Sequence, residues 1–132
     1  MKGETNLNTL LETLQPQLNV GDYVFCIIND LTTIDINQAL LIFREAEGIT
    51  IVLKKEFADN YHLEYSFIAS WITLSVYSSL EAVGLTAAFS KALSENGISC
   101  NVIAAYHHDH IFVDKKDSDK TMSILSKLST KN

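Results

Sequence analysis

The stretch that decides the fold is VGLTAAFSKALSENGISCNVIAAYHHDHIFV, residues 83–113. Its first part predicts a helix, because apolar residues recur at helical spacing and line one face, namely Leu85, Ala88, Phe89, Ala92 and Leu93. Gly97 follows the last turn, where a residue without Cβ suits a left-handed cap. From Ile98 the period falls to two, which predicts a strand, a turn around residues 107–109 and a returning strand over residues 110–114.

The alternation assigns side chains to two faces of the predicted sheet, to which a strand at residues 71–77 also contributes. The face expected under helices carries Ile72, Leu74, Val76, Cys100, Val102, Ile111 and Val113. The opposite face carries Trp71, Thr73, Tyr77, Asn101, Ile103, Ala105 and Phe112. Aromatic side chains on a face without helices would lie in water, and such a patch usually marks an interface. The alternative to such an interface is that the two halves cover each other's faces or join their sheets edge to edge. Both arrangements are compatible, and we expect a homodimer in either case.

The same region resembles a known family. The segments SSLEAVGLTAA, GIS-NVIAAY and HDHIFV are similar to the ACT domain, the ligand-sensing module of aspartokinases and other enzymes of amino-acid metabolism. The resemblance is stronger to small free-standing bacterial proteins built from two degenerate ACT-like halves. It covers residues 65–132, and the segment FREAEGITIVL extends it into the first half. It implies an α+β, ferredoxin-like ACT sandwich with antiparallel sheets, divided into residues 1–64 and 65–132, and association as a homodimer.

The first half contains further elements. We expect a helix over residues 6–14 that ends before Pro16, and a strand over residues 23–28. The segment ALLIFREAEGITIVLKK fits either a helix followed by a strand or a β-hairpin over residues 40–44 and 49–53; the short turn ending in Gly48 and the resemblance favour the hairpin.

Other elements follow along the chain. Residues 30–38 are expected to form a loop, residues 55–61 a short helix and residues 64–69 a strand. A last helix begins at Asp117 or Ser118. Its apolar stripe consists of Thr121, Ile124, Leu125 and Leu128.

Composition excludes several classes of function. The net charge is −6, and residues 1–65 hold four Lys and Arg against ten Asp and Glu, so no basic stripe serves a nucleic acid or an anionic membrane. No apolar run approaches the roughly 18 residues of a membrane span, and residues 1–20 lack the pattern of a signal peptide. Cys26 and Cys100 fall in predicted strands without metal-ligand spacing. We expect a cytoplasmic protein with two buried thiols.

The candidate ligand site is the loop from strand to helix. Backbone N–H groups at a helix N-terminus attract a carboxylate, and Gly84 allows close approach to the backbone. The resemblance implies that an amino-acid effector binds this loop and the strand after the helix, at Ser78, Ser79, Val83, Gly84, Leu85, Thr86, Ser99, Asn101 and Val102. Aspartokinase-type sensors usually have Asn directly after the Gly-Ile pair, where this chain has Ser99. The alternative is a capped loop that binds no ligand.

A second candidate site is the run of four polar residues at the predicted turn. His107, His108, Asp109 and His110 include the side chains that ligate zinc, but neighbours in a tight turn point in different directions. The alternative is a hairpin turn in which His107 or His110 bonds the backbone. No GxSxG or P-loop is present, and the one Arg, Arg44, lies in a predicted strand. We expect a small-molecule sensor without catalytic residues, metal or cofactor; the alternatives are a ligand-free protein-interaction module and a metal sensor.

Overall fold

The computed structural model describes residues 11–75 and 84–130. In chain order its elements are α1, described over residues 11–13, β1 (Gln15–Leu18), β2 (Tyr23–Ile28), β3 (Ala39–Glu45), β4 (Gly48–Lys54), α2 (Lys55–Asn60), β5 (Ala69–Ser75), α3 (Leu85–Glu95), β6 (Asn101–Ala104), β7 (Asp109–Asp114) and α4 (Ser118–Thr130). They form two compact units. The first unit is Gly21–Ala69, and the second comprises the other described residues. The division of the sequence at residues 64 and 65 stays a prediction.

The first unit is an antiparallel sheet in the order β3-β4-β2 with α2 packed on one face. Its core is formed by alternate strand residues and one helix residue: Val24, Cys26, Ile28, Ile51, Leu53 and Ala58. The expected hairpin and the short helix are confirmed. The expected loop contains two 3-10 turns, in which the carboxylates of Asp30 and Asp35 accept bonds from the backbone N–H groups of Thr32 and Asn37 at 2.9 and 3.0 Å.

The second unit has the strand order β1-β5-β7-β6, with α3 and α4 on one face. The core under the helices contains Ile72, Leu74, Leu85, Phe89, Leu93, Ile98, Ile111, Val113 and Leu125. The two helical stripes and the described part of the covered face are therefore confirmed. Gly97 has φ +74°, in the left-handed region that was expected after α3.

The opposite face of the second unit differs from expectation at one aromatic residue. Phe112 is only 1% exposed, although its face carries neither α3 nor α4. Its ring stacks on the half-buried Trp71, with ring centres 6.5 Å apart and planes 17° apart. This aromatic pair therefore does not supply the fully exposed patch on which the sequence argument for an interface rested.

One strand was not predicted, and two others begin later than predicted. Gln15–Leu18 forms β1 because it pairs with β5; Pro16 has no N–H to donate and is tolerated on such an edge strand. The strand expected from residue 64 begins at Ala69, which pairs with Tyr23. The strand expected from residue 98 begins at Asn101. Residues 6–10 and 76–77 of the predicted elements lie outside the described residues.

Candidate functional site

The start of α3 holds the described part of the predicted ligand loop. Gly84 precedes the helix with φ 97° and ψ −16°, a left-handed conformation that suits glycine, and its carbonyl accepts the bond from the N–H of Ala88 at 2.9 Å. Leu85 is buried in the core, whereas Thr86 is exposed in the first turn. The N–H groups of a first turn have no acceptor within their own helix. Ser78, Ser79 and Val83 lie outside the described residues.

The strand after α3 supplies the other predicted residues. Ser99 is exposed just before β6, and the exposed Asn101 donates from Nδ2 to the carbonyl oxygen of Phe112 at 3.3 Å. Val102 packs against the core that contains Leu85. The structure thus brings the helix start and the strand together, through the buried Leu85 and the half-buried Val102. Among the predicted residues that the structure describes, Gly84, Thr86 and Ser99 have neither a core position nor a side-chain bond.

The histidine turn joins β6 to β7, and the N–H of Ala105 bonds to the carbonyl of His108 at 3.0 Å. His107 is exposed and packs edge-on against Tyr106, with ring centres 4.9 Å apart. Burial raises the pKa of Asp109 above its ordinary value, although neighbouring His110 opposes this effect. The four polar residues therefore have different environments.

His110 lies in a side-chain network that the sequence argument missed. Trp71 Nε1–H donates to His110 Nδ1 at 3.0 Å, and Thr73 Oγ1 lies 3.2 Å from the same nitrogen. Asn19 Nδ2 donates to Thr73 Oγ1 at 2.9 Å, and the Asn19 backbone N–H donates to the carbonyl of Trp71 at 2.9 Å. Sequence alternation had placed Trp71 and Thr73 on one face, and the same alternation in the returning strand could have added His110. No signal pointed to Asn19.

This network is unfavourable for metal binding. An indole N–H can only donate, so Nδ1 of His110 must be unprotonated and Nε2 of the neutral ring must carry the proton. Neither nitrogen is then available to a cation unless the bond to Trp71 breaks. Within residues 11–75 and 84–130, three or more His, Cys, Asp or Glu side chains nowhere converge as a metal site.

Both cysteines are free thiols in the structure. Burial raises the pKa of Cys100 to about 11 and that of Cys26 above its ordinary value, to which the charge of Asp59 also contributes. A thiol rather than a thiolate is therefore the form present at neutral pH, which makes both cysteines poor nucleophiles.

The first unit contains an open groove of about 550 Å³, a size typical of small-molecule pockets. It is lined by Phe25, Cys26, Ile27, Thr50, Glu64, Tyr65 and Ser66. The Phe25 ring stacks on Phe67 with ring centres 6.0 Å apart. This groove could not be predicted from the sequence, because its lining joins β2 and β4 to residues 64–66, which lie apart from both strands in the chain.

None of the helices in the described part of the chain has the length and apolar character needed to cross a membrane.

Comparison with known proteins gives two family matches. One ACT domain model matches residues 2–70 and a second matches residues 66–127. No curated protein matches the sequence. The predicted resemblance is therefore confirmed.

Solved structures share the fold. A Vibrio cholerae protein of unknown function, described as a possible transport protein, is 48% identical, with a TM-score of 0.84 over 93% of this chain and 95% of its own. An Agrobacterium tumefaciens protein is 18% identical, with a TM-score of 0.71 over 88% of this chain and 89% of its own. The ligand-free regulatory subunit of aspartate kinase from Thermus thermophilus is 9% identical, with a TM-score of 0.63 over 88% and 96%. The last two similarities establish the fold alone. The predicted fold class, a tandem of ferredoxin-like sandwiches, is confirmed.

Proposed function

Because the chain belongs to the ACT domain family, we propose that it is a regulatory protein without catalytic activity that binds an amino acid. The observation that carries the proposal is Gly84, held in a left-handed conformation directly before α3, with the exposed Thr86 in the first turn. This geometry supports recognition of a carboxylate by backbone N–H groups, aided by the positive end of the helix dipole.

The proposed ligand-binding residues are those of the loop and of the strand after the helix: Ser78, Ser79, Val83, Gly84, Leu85, Thr86, Ser99, Asn101 and Val102. Their expected roles differ. Leu85 is a core residue and the half-buried Val102 packs against that core, so these two residues would place the backbone around the ligand rather than supply polar contacts. The exposed Thr86 and Ser99 would supply hydroxyl groups.

The proposed mechanism is thermodynamic linkage. An amino acid that binds one arrangement of the protein more tightly than another shifts the population toward that arrangement, by no more than the difference in binding free energy. The readout would be association with a second copy or with a partner protein. The acidic composition argues against nucleic acid as that partner, and the two free thiols are typical of a cytoplasmic protein.

The test is a thermal-unfolding screen against the proteinogenic amino acids. A ligand present at about 100 times its dissociation constant stabilises the folded state by about 2.7 kcal/mol. For a chain of this size that corresponds to a rise in Tm of about 10 °C. We expect one amino acid, or one chemical class, to produce such a rise; a flat panel would contradict amino-acid binding.

Substitutions in the loop before α3 and in the groove of the first unit test where the ligand binds. We expect Gly84→Ala and Thr86→Ala to reduce the ligand-induced rise in Tm by more than half. Gly97→Ala is the matched control, because it places the same strained side chain at the other end of α3, outside the proposed loop. Phe25→Ala probes the groove of the first unit. Loss of the ligand effect in Phe25→Ala, with no change in the two loop variants, would contradict the site assignment.

A ligand-free interaction module is the second candidate, and exposed apolar side chains in the first unit favour it. Ile27 is 59% exposed and Phe43 is 61% exposed. Both residues lie beside Thr50 in the strand register, so they share one sheet face. A flat ligand panel together with stable self-association or partner binding through this face would support the second candidate over the first.

A further inference from the structure

A hydrogen bond joins Trp71 on β5 to His110 on β7, and these two strands are neighbours in the sheet. Thr73 shares the same acceptor nitrogen, and its own hydroxyl oxygen accepts from Asn19. The acceptor role of Nδ1 requires a neutral imidazole with its proton on Nε2. The bond therefore exists only while His110 is uncharged.

Protonation of His110 would reverse the role of Nδ1. The imidazolium has an N–H on both ring nitrogens, so the Trp71 N–H would point at another donor. Thr73 could turn its hydroxyl and accept from the new N–H, but an indole has no acceptor to offer. Charging His110 and retaining the Trp71 bond are thus mutually exclusive.

The titratable and charged groups around His110 determine the pH at which its ring becomes protonated. Its neighbours along the chain are His108, in the turn before β7, whose ring centre lies 6.3 Å away, and Asp109, at the start of β7. On β6 the residue paired with His110 is Ile103, which carries no charge. Burial and His108 lower the pKa of His110, while Asp109 raises it, and the net shift is downward from 6.5.

Among the described residues, the remaining contacts of His110 are neutral. On β5 they are Trp71 and Thr73, to which Asn19 is bonded. Further out, His107 packs against His108, with ring centres 6.3 Å apart. Nδ1 of His108 is enclosed and finds no hydrogen-bond partner among the described residues.

We propose that His110 is a proton-sensing residue that holds Trp71 against β7 when neutral and releases it when protonated. Trp71 stacks on the buried Phe112, so its release disturbs the aromatic pair on the face without helices. The carbonyl of Trp71 also accepts from Asn19, at the end of β1. Mild acid therefore loosens one face of the second unit while the core under α3 and α4 stays intact.

The test uses the sole tryptophan of the chain as its probe. The indole ¹⁵N–¹H resonance and the ring resonances of the histidines are followed by NMR between pH 7.5 and pH 5. We expect the indole proton to lose its hydrogen-bonded downfield position with the same midpoint as the His110 ring, below pH 6.5. An indole resonance that stays constant while His110 titrates would overturn the proposal.

Two variants separate His110 from its neighbours. His110→Gln retains an acceptor for Trp71 but cannot titrate, so the acid transition of the indole resonance should disappear. His107→Gln removes an exposed histidine that does not contact Trp71, and the transition should persist. The proposal would also be overturned if the transition survived in His110→Gln, because another group would then be its cause. It would be overturned as well if the wild-type transition coincided with loss of the far-UV circular dichroism, because global unfolding would then be its cause.

Discussion

At the scale of single residues, Thr121 shows how a polar side chain can occupy a core position. The helical stripe of α4 placed it beside Leu125, and both are fully buried. Its Oγ1 finds no hydrogen-bond partner among the described residues. A buried hydroxyl without a partner loses its hydration and gains nothing in exchange.

We expect Thr121→Val to raise the free energy of unfolding by about 1 kcal/mol, because a methyl group of similar shape replaces the unpaired hydroxyl. Urea-induced unfolding followed by circular dichroism measures the change. Thr121→Ala is the control: it also removes the hydroxyl but leaves a cavity, so it should be less stable than Thr121→Val. A Thr121→Val protein less stable than wild type would show that the hydroxyl has a partner in solution.

At the scale of elements, the sequence predicts both the buried face of α3 and the positions at which the helix begins and ends. Its buried positions are Leu85, Phe89 and Leu93, all of which belong to the apolar stripe. The helix begins after Gly84 and ends before Gly97, and both glycines have positive φ. At Gly97 a Cβ would meet nothing within 4 Å, so only the backbone conformation favours glycine there.

We therefore expect Gly97→Ala to lower the free energy of unfolding by about 1 kcal/mol, the usual cost of a left-handed conformation for a residue with Cβ. Gly97→Asn should lower it by less, because Asn tolerates this conformation better than Ala does. Chemical denaturation of the three proteins gives the order. Equal stability of wild type and Gly97→Ala would contradict the argument from backbone strain.

Two parts of the sheet, the hairpin of β3 and β4 and the strand β1, could not be predicted from periodicity alone. The hairpin of β3 and β4 was ambiguous from periodicity alone, because a short apolar run fits a helix as well as a strand. The family resemblance favoured the correct alternative. β1 was not predicted, since Gln15, Pro16 and Gln17 show no apolar alternation; these residues are extended because they pair with β5.

At the scale of the whole molecule, the exposed apolar face of the first unit is the best candidate for self-association. Ile27 and Phe43 lie on the sheet face opposite the core that packs against α2, and both are more than half exposed. Large apolar side chains that share a face favour an interface more strongly than scattered ones do. Phe112, on which the predicted interface rested, is buried within the chain itself and is not available to a second copy.

We expect the protein to sediment as a homodimer of about twice its chain mass of 14.7 kDa. Phe43→Glu should shift it to the monomer, because burial of the new carboxylate in an apolar interface is unfavourable. Ile36→Glu is the control: it removes a 53% exposed apolar side chain from a 3-10 turn, outside that face. Sedimentation at several concentrations measures the mass. A dimer that persists in Phe43→Glu would exclude this face as the interface.

The sequence by itself determined the helices α3 and α4, the covered face of the second unit and the ACT resemblance, because each depends on residues close together in the chain. Only the tertiary structure decided the pairing of β1, the burial of Phe112 and the bonds of His110. Asn19, Trp71 and His110 are separated by 52 and 39 positions in the chain. Local periodicity assigns a side chain to a face of its strand, but the order of strands in the sheet determines which side chain it meets there.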